Sequence, residues 1–272
     1  MRGGREFAAA DAIREELRRG GWEVVDTAGG SELKEASPGP ELLPGRRLTY
    51  LAIVSGWPQD AARWLSSVVA HPGDDWEAVL GVDSTDPEVA SWVRSAASER
   101  VRPLTLEPAG FAVAVNRAVA ESRGEVIVLM DPGTELTGEV AGPLLAALSE
   151  PGTGLAGAFG LRARGTVKEF APHEGPEVDA LEGYCLACRR EDFLGVGGFD
   201  GHFRFYRIAD IEFSFRMRAA GHRAVVVPGL PVRRHAHRVW ESTPPEERER
   251  LSKRNFYRFL DRWGGRPDLL VR

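Results

Sequence analysis

The sequence predicts an α/β fold: a Rossmann-like, mainly parallel sheet flanked by helices, with a small helical appendage in front. Three observations predict it. Apolar runs at 48–54 (LTYLAIV), 76–82 (WEAVLGV) and 126–130 (VIVLM) lack the alternation of a half-solvated strand, so each fits a strand covered on both faces. Segments of helical periodicity lie between them, and strands separated by helices of this length indicate parallel pairing through right-handed crossovers. Two of the runs stop on a carboxylate, Asp83 and Asp131, the second followed at once by Pro132-Gly133. The carboxyl edge of an open α/β sheet is where ligands sit, although an Asp before Pro-Gly is also an ordinary turn residue.

At 272 residues the chain has room for one large α/β domain and a small appendage. A hydrophobic content of 43% and a charged content of 28% are ordinary for a soluble protein. The net charge of -5 and pI near 5.8 argue against a general nucleic-acid binder, because phosphate binding requires a basic face. The clusters Arg233-Arg234 and Arg248/Arg250/Arg254 remain as local anion sites. No apolar run approaches the ~20 residues of a membrane span, and the N-terminus lacks the apolar core of a signal peptide. The expectation is a cytoplasmic protein, either free or peripheral to the inner face of the membrane. Cys185 and Cys188 have the spacing of half a zinc site, but no second Cys/His pair lies near them in sequence, so they read as two free thiols.

Residues 1–36 form a separate helix–strand unit in this reading, 37–47 a Pro- and Gly-rich linker, and 48–272 the main domain. Phe7, Ala10, Ile13 and Leu17 recur at helical spacing, Gly20-Gly21 closes that helix, and 22–25 reads as a short strand followed by a turn at 26–30. In the main domain, helices are expected over 60–70, 87–97 and 109–121, with a short strand at 101–106 and a helix ending at 144–149. The stretch 155–178 is rich in glycine and shows no clear period. Beyond it come a strand at 183–189, a helical turn at 191–196, a tight turn at Gly197-Gly198-Phe199-Asp200, and a helix over 208–220 that begins near Asp210. A strand at 224–228, a basic loop at 232–237 with His-x-His, and a helix over 244–263 complete the chain. Leu251, Asn255, Phe256, Phe259, Leu260 and Trp263 form the inward stripe of that last helix.

Four pieces in order resemble glycosyltransferases of family 2, over roughly 48–263. They are the strand ending in Val82-Asp83; Gly110-Phe111…Asn116-Arg117 ahead of the strand that ends in Asp131; Gly183-Tyr184…Gly197-Gly198-Phe199-Asp200; and Ala209-Asp210-Ile211-Glu212…Arg216…Gly221. The resemblance implies a GT-A fold and a hexosyltransferase-like enzyme of glycan biosynthesis. It implies inverting, non-processive transfer from a nucleotide-diphosphate sugar to a hydroxyl of a glycan, a lipid-linked or a small-molecule acceptor. The Q-x-x-R-W signature of processive synthases is absent. Such transfer needs a pocket for the base, compensation for the departing diphosphate and a base for the acceptor proton. Ser55, Asp83, Asn116 and Asp131 are then expected to bind the nucleotide sugar, and Gly183 and Tyr184 the acceptor. Asp210 is expected as general base. Each carboxylate also has a plain structural role open to it: Asp83 and Asp210 as helix caps, Asp131 as a turn residue.

Two departures bear on the cofactor. The family's D-x-D reads Asp131-Pro132-Gly133, and its E-D pair reads Ala209-Asp210. A divalent cation, Mn²⁺ or Mg²⁺, is expected on Asp131 with His235 or His237 in place of the missing carboxylate, or the histidines contact the diphosphate directly. The same departures motivate the alternative of a catalytically weak or inactive GT-A domain that binds nucleotide sugars or acts as a scaffold. Separately, 5–30 resembles the C-terminal tail of cysteinyl-tRNA synthetases, which implies a protein or RNA contact by that segment.

Overall fold

The structure, a computed structural model, describes residues 22–27, 30–35 and 48–271. The chain divides into two units, Met1–Pro40 and Glu41–Arg272. In the first, β1 (Trp22–Thr27) and β2 (Gly30–Glu35) form an antiparallel hairpin with Trp22 opposite Glu35. Sequence reading finds only part of β1; β2 carries Glu32, Lys34 and Glu35 and has no apolar signature. The helix expected within 7–19, most of the synthetase-like segment and the linker 37–47 lie outside the described residues.

The second unit follows the alternation the apolar runs dictate. In order come β3 (Leu48–Val54), α1 (Pro58–Ala70), β4 (Trp76–Val82), α2 (Pro87–Ser95), β5 (Val101–Thr105), α3 (Phe111–Glu121) and β6 (Val126–Met130). Then come β7 (Thr134–Leu136), α4 (Ala141–Ser149) and β8 (Thr153–Gly157). The unpatterned stretch is strand-rich: β9 (Gly160–Ala163), β10 (Phe170–His173), β11 (Glu177–Val178) and β12 (Ala180–Leu181). Strand β13 (Cys185–Arg189), α5 (Arg190–Gly195), α6 (Ala209–Ala219) and β14 (Arg223–Val226) follow. The basic loop contains a short strand, β15 (Val232–Arg234), and α7 (Arg238–Ser242); α8 (Pro245–Trp263) closes the domain.

Eight strands make the central sheet, in the order β11-β14-β8-β13-β6-β3-β4-β5. The pairs β3–β4, β3–β6, β4–β5 and β8–β14 are parallel, and β13 runs antiparallel between β6 and β8. Strands β3, β4 and β6 are buried at every position, as their unbroken apolar runs require. Alternate residues supply two cores. Tyr50, Ala52 and Val54 pack with Trp64 and Val68 of α1, Val89 and Val93 of α2, and Leu144 of α4. Leu51 and Ile53 pack on the other face with Val115 and Val119 of α3, Phe213 and Phe215 of α6, and Phe259 and Trp263 of α8. Cys185 and Cys188 are free, buried and divided between these two cores. Among the described residues no helix is long and apolar enough to cross a membrane.

A buried carboxylate fixes the entry into β6. Glu77, fully buried in β4, accepts from the Thr49 hydroxyl at 2.9 Å, the Arg123 amide at 2.5 Å and the Arg102 guanidinium at 3.2 Å. Thr49 in turn accepts from the Gly124 amide at 3.0 Å. The turn before β6 is thereby tied to β3, β4 and β5, which sets where β6 ends and so where Asp131 stands. Glu77→Gln sets an amide donor against donors already present and is expected to lower unfolding free energy by about 1–3 kcal/mol. Thermal unfolding checks it; an unchanged Tm contradicts the tie.

Candidate functional site

At the carboxyl edge of β3, β4 and β6 lies a cavity of about 500 Å³. Ser55, Asp83 and Asp131 are the first residues beyond those strands, and all three line it. Gly183, Tyr184, Asp210 and His237 line it too, from the turn before β13, the first turn of α6 and the segment after β15. Seven of the nine residues expected from sequence therefore meet in one place: Ser55, Asp83, Asp131, Gly183, Tyr184, Asp210 and His237.

Asn116 and His235 do not join them. Asn116 faces the α3–α6 core: its Oδ1 accepts from the Phe199 amide at 2.9 Å and its Nδ2 donates to the Phe199 carbonyl at 2.8 Å. Gly198, at φ +65°, presses its backbone against that amide, and a Cβ there would lie 2.5 Å from Asn116 Oδ1. Phe199 then stacks on Phe213 of α6 at 4.5 Å. Asn116 thus clamps the Gly197-Gly198-Phe199-Asp200 turn onto the helix that carries Asp210. Glu212 and Arg216 of the same motif are structural as well, paired at 3.1 Å, with Arg216 also 3.8 Å from Asp200. His235 is drawn away because its Nε2 lies 2.7 Å from Glu135 Oε2, and that bond holds the Glu135 carboxyl below its usual range.

The carboxylates of the cavity are raised by burial. Asp83 follows β4 but does not cap α2; Asp86 does, accepting from the Glu88 amide at 2.8 Å. The Asp83 Oδ1 is buried without a hydrogen-bond partner among the described residues, and burial pushes its carboxyl above the usual range. Burial also raises Asp131, against the opposing pull of His237 and the Gly133 amide. Asp210 is raised by burial too, against the Gly183 and Ile211 amides, which its two oxygens accept at 2.9 Å each, and against Arg207. Its place in the first turn of α6 gives the anion a favourable dipole. Glu182 follows the same direction through burial, opposed by Arg234 at 2.6 Å and reinforced by Asp210.

Several further residues line the cavity beside those expected as its ligands. The loop 203–208 delivers Arg204, Tyr206 and Arg207. It is held by the first, otherwise unpaired amides of α3: Phe111 donates to the Arg204 carbonyl at 2.9 Å and Ala112 to the Phe203 carbonyl at 3.3 Å. From the other side, fully buried Asn255 of α8 donates to the carbonyls of Phe205 at 2.8 Å and Arg207 at 2.9 Å. Tyr206 stacks on His237 with ring centres 4.0 Å apart. Asp60, at the start of α1, bonds Arg63 and Arg238 at 2.8 Å each; burial pushes it up, but the two guanidinium groups outweigh that and hold it below its usual range. The available signal was the arginine-and-aromatic run FRFYR just ahead of Asp210.

The protein itself offers few ligands for a divalent cation. Such ions take about six oxygen-rich ligands, part of them from water and substrate phosphates, and no group of three or more His, Cys, Asp and Glu residues comes together among the described residues. In the cavity Asp131 and His237 meet, with Oδ2 and Nε2 3.2 Å apart.

A fold and a site of this kind, with a parallel sheet edge, an inserted antiparallel strand and carboxylates around a cleft, define a GT-A glycosyltransferase fold. Residues 58–214 match the family Glycosyl transferase family 2, and the chain belongs to that family. The solved structure of GalNAc-T7 with UDP, GalNAc and Mn²⁺ superposes with a TM-score of 0.66 at 15% identity, over 83% of this chain and 49% of that one. The mannosyltransferase PcManGT from Pyrobaculum calidifontis, in complex with GDP-Man and Mn²⁺, gives 0.56 at 17% identity, over 85% and 79%. TarS of S. aureus gives 0.54 at 14% identity, over 81% and 44%. In sequence, the uncharacterized protein y4gI of Sinorhizobium fredii is 26% identical over 207 residues, which is 64% of this chain and 23% of that protein. The chain thus spans about a quarter of that relative and about half of GalNAc-T7.

An orphaned buried oxygen costs stability and awaits a donor. Asp83 has a raised carboxyl pKa, so it favours the fold fully only below the ordinary carboxylate value, and that contribution is lost as pH rises through the raised one. At neutral pH Asp83→Ala is expected to stabilise the protein by about 1 kcal/mol, or roughly 2–4 °C in Tm. Under acid conditions, below the usual carboxylate range, the gain disappears. Thermal unfolding across pH reads both; a variant less stable than wild type at pH 7 contradicts the assignment.

Proposed function

We propose that this chain is an inverting, non-processive glycosyltransferase that moves a sugar from a nucleotide-diphosphate donor to an acceptor hydroxyl. The observation that carries the reading is the Asp210 carboxylate, held by the Gly183 and Ile211 amides and facing the same cavity as Asp83 and Asp131. Family membership and the fold shared with nucleotide-bound transferases support it.

The chemistry assigned to this chain's residues is a single displacement. The acceptor oxygen attacks the anomeric carbon, Asp210 takes the hydroxyl proton, and the bond to the phosphate oxygen breaks with its electron pair leaving on the nucleoside diphosphate. Asp83 receives a donor hydrogen of the base or ribose on its unpartnered Oδ1, with Ser55 beside it. Asp131 accepts from the ribose hydroxyls. Gly183 and Tyr184 flank the acceptor, next to the carboxylate that deprotonates it. Asn116 acts at one remove, by seating the turn on which α6 rests.

A general base must be ionised, so turnover falls as pH drops through the pKa of Asp210. Because burial raises that pKa, the acid limb is expected above the range of an exposed aspartate. Asp210→Asn is expected to fold, to lose at least about 100-fold in transfer or donor hydrolysis, and to lose the acid limb with it. The assay is nucleoside diphosphate release from a panel of nucleotide sugars across pH. Near-parental turnover rules Asp210 out as base; nucleotide binding with no turnover by wild type is the outcome expected of an inactive binding module.

A further inference from the structure

We infer that the charge of the departing diphosphate is offset by this chain's own cations, Arg207 foremost, and not by a divalent ion on Asp131. The inference rests on the transferase reading and concerns how that site handles its leaving group.

Both oxygens of Asp131 and both ring nitrogens of His237 already have partners. Asp131 Oδ1 accepts from the Gly133 amide at 2.7 Å. Where a second carboxylate is expected, Gly133 leaves no room: a Cβ would stand 2.8 Å from Asp131 Oδ1 and 3.0 Å from the Ala236 carbonyl oxygen. The segment 235–237 is packed there by the bond from the His235 amide to the Gly133 carbonyl, at 2.7 Å. The imidazole that could replace the carboxylate is committed as well. His237 Nδ1 accepts from the Trp240 amide at 3.4 Å as the cap of α7, so the ring hydrogen belongs on Nε2. An Nε2–H facing Asp131 Oδ2 at 3.2 Å is a donor to that carboxylate and has no lone pair for a metal. Tyr206 stacked at 4.0 Å and Tyr184 edge-on at 5.7 Å hold the ring in that orientation.

Positive charge reaches the cavity by another route. Lys168, Arg204, Arg207 and Arg238 all line it. Arg238 is engaged by Asp60 at 2.8 Å. Arg207 is the one placed by buried machinery: Asn255 grips its carbonyl, its guanidinium lies 5.1 Å above the Trp240 ring, and its charge is felt by Asp210, Glu182, Tyr184 and Tyr206. A guanidinium there gives a diphosphate bidentate, charge-assisted hydrogen bonds, its planar fork spanning two phosphate oxygens.

The test is calorimetric titration of the full chain with UDP, GDP and dTDP, in EDTA and again in Mn²⁺, with Mn²⁺ alone followed by electron paramagnetic resonance. One nucleoside diphosphate is expected to bind with the same Kd in EDTA and in Mn²⁺, and the free ion is expected to stay unbound. Arg207→Gln, an exposed substitution, is expected to weaken diphosphate binding by about 10–100-fold while leaving the corresponding nucleoside unchanged. Binding that appears only with Mn²⁺, or wild-type affinity in Arg207→Gln, overturns the inference and leaves the transferase reading standing. Absence of any nucleotide binding under both conditions overturns the two together.

Discussion

Strand β13 is hydrogen-bonded antiparallel between β6 and β8, and the site exists because of where that ladder ends. Its last bond on the ligand side runs from the Asp131 amide to the Tyr184 carbonyl at 3.2 Å; the Thr134 hydroxyl donates to the same carbonyl at 2.8 Å. A parallel sheet alone would present Ser55, Asp83 and Asp131 along one edge with nothing opposite. The inserted strand brings the Gly183 amide to that edge, and the amide takes hold of Asp210 from α6. Asp131 and Asp210 are thus linked through neighbouring residues of one segment, Asp131 by its amide to the Tyr184 carbonyl and Asp210 by its carboxylate to the Gly183 amide.

The arrangement stores unfavourable energy. Three carboxylates, Asp83, Asp131 and Asp210, have protonation raised by burial in one cavity. Two non-glycine residues beside it, Trp57 at φ 51° and Ile208 at φ 71°, sit in the left-handed region just ahead of α1 and α6. Such a backbone costs on the order of 1–3 kcal/mol per residue and persists only where the surroundings hold it. The surroundings here are the Asp60–Arg238 pair, the Asn255 grip on 205–207 and the two cores on either face of the sheet. Strain and desolvation are concentrated where hydrogen-bond donors from a ligand would relieve them.

Much of this was legible in the sequence, for definable reasons. Strands buried on both faces write continuous apolar runs, so β3, β4 and β6 and the residues that follow them could be read directly. Asp210 was readable because a helix start and a turn motif converge on it. The stretch 155–178 was not, since β9, β10 and β11 are only two to four residues long and β11 pairs with the distant β14. Nor does spacing separate His235 from His237. Glu135, one hundred residues from His235, takes one, and the Trp240 amide and Asp131 take the other. Asn116 matched its motif yet serves packing, and Arg207 is placed by an asparagine that the sequence shows only as part of a helix stripe.

The central claim is a single displacement in which Asp210 deprotonates the acceptor on the face opposite the leaving diphosphate. Proton NMR of donor hydrolysis, with water as acceptor and an α-linked nucleotide sugar as substrate, addresses it directly. The account predicts that the sugar first appears as the β-anomer, before mutarotation mixes the two forms. First appearance of the α-anomer would contradict it, because a single displacement on the face opposite the leaving group must invert the anomeric carbon.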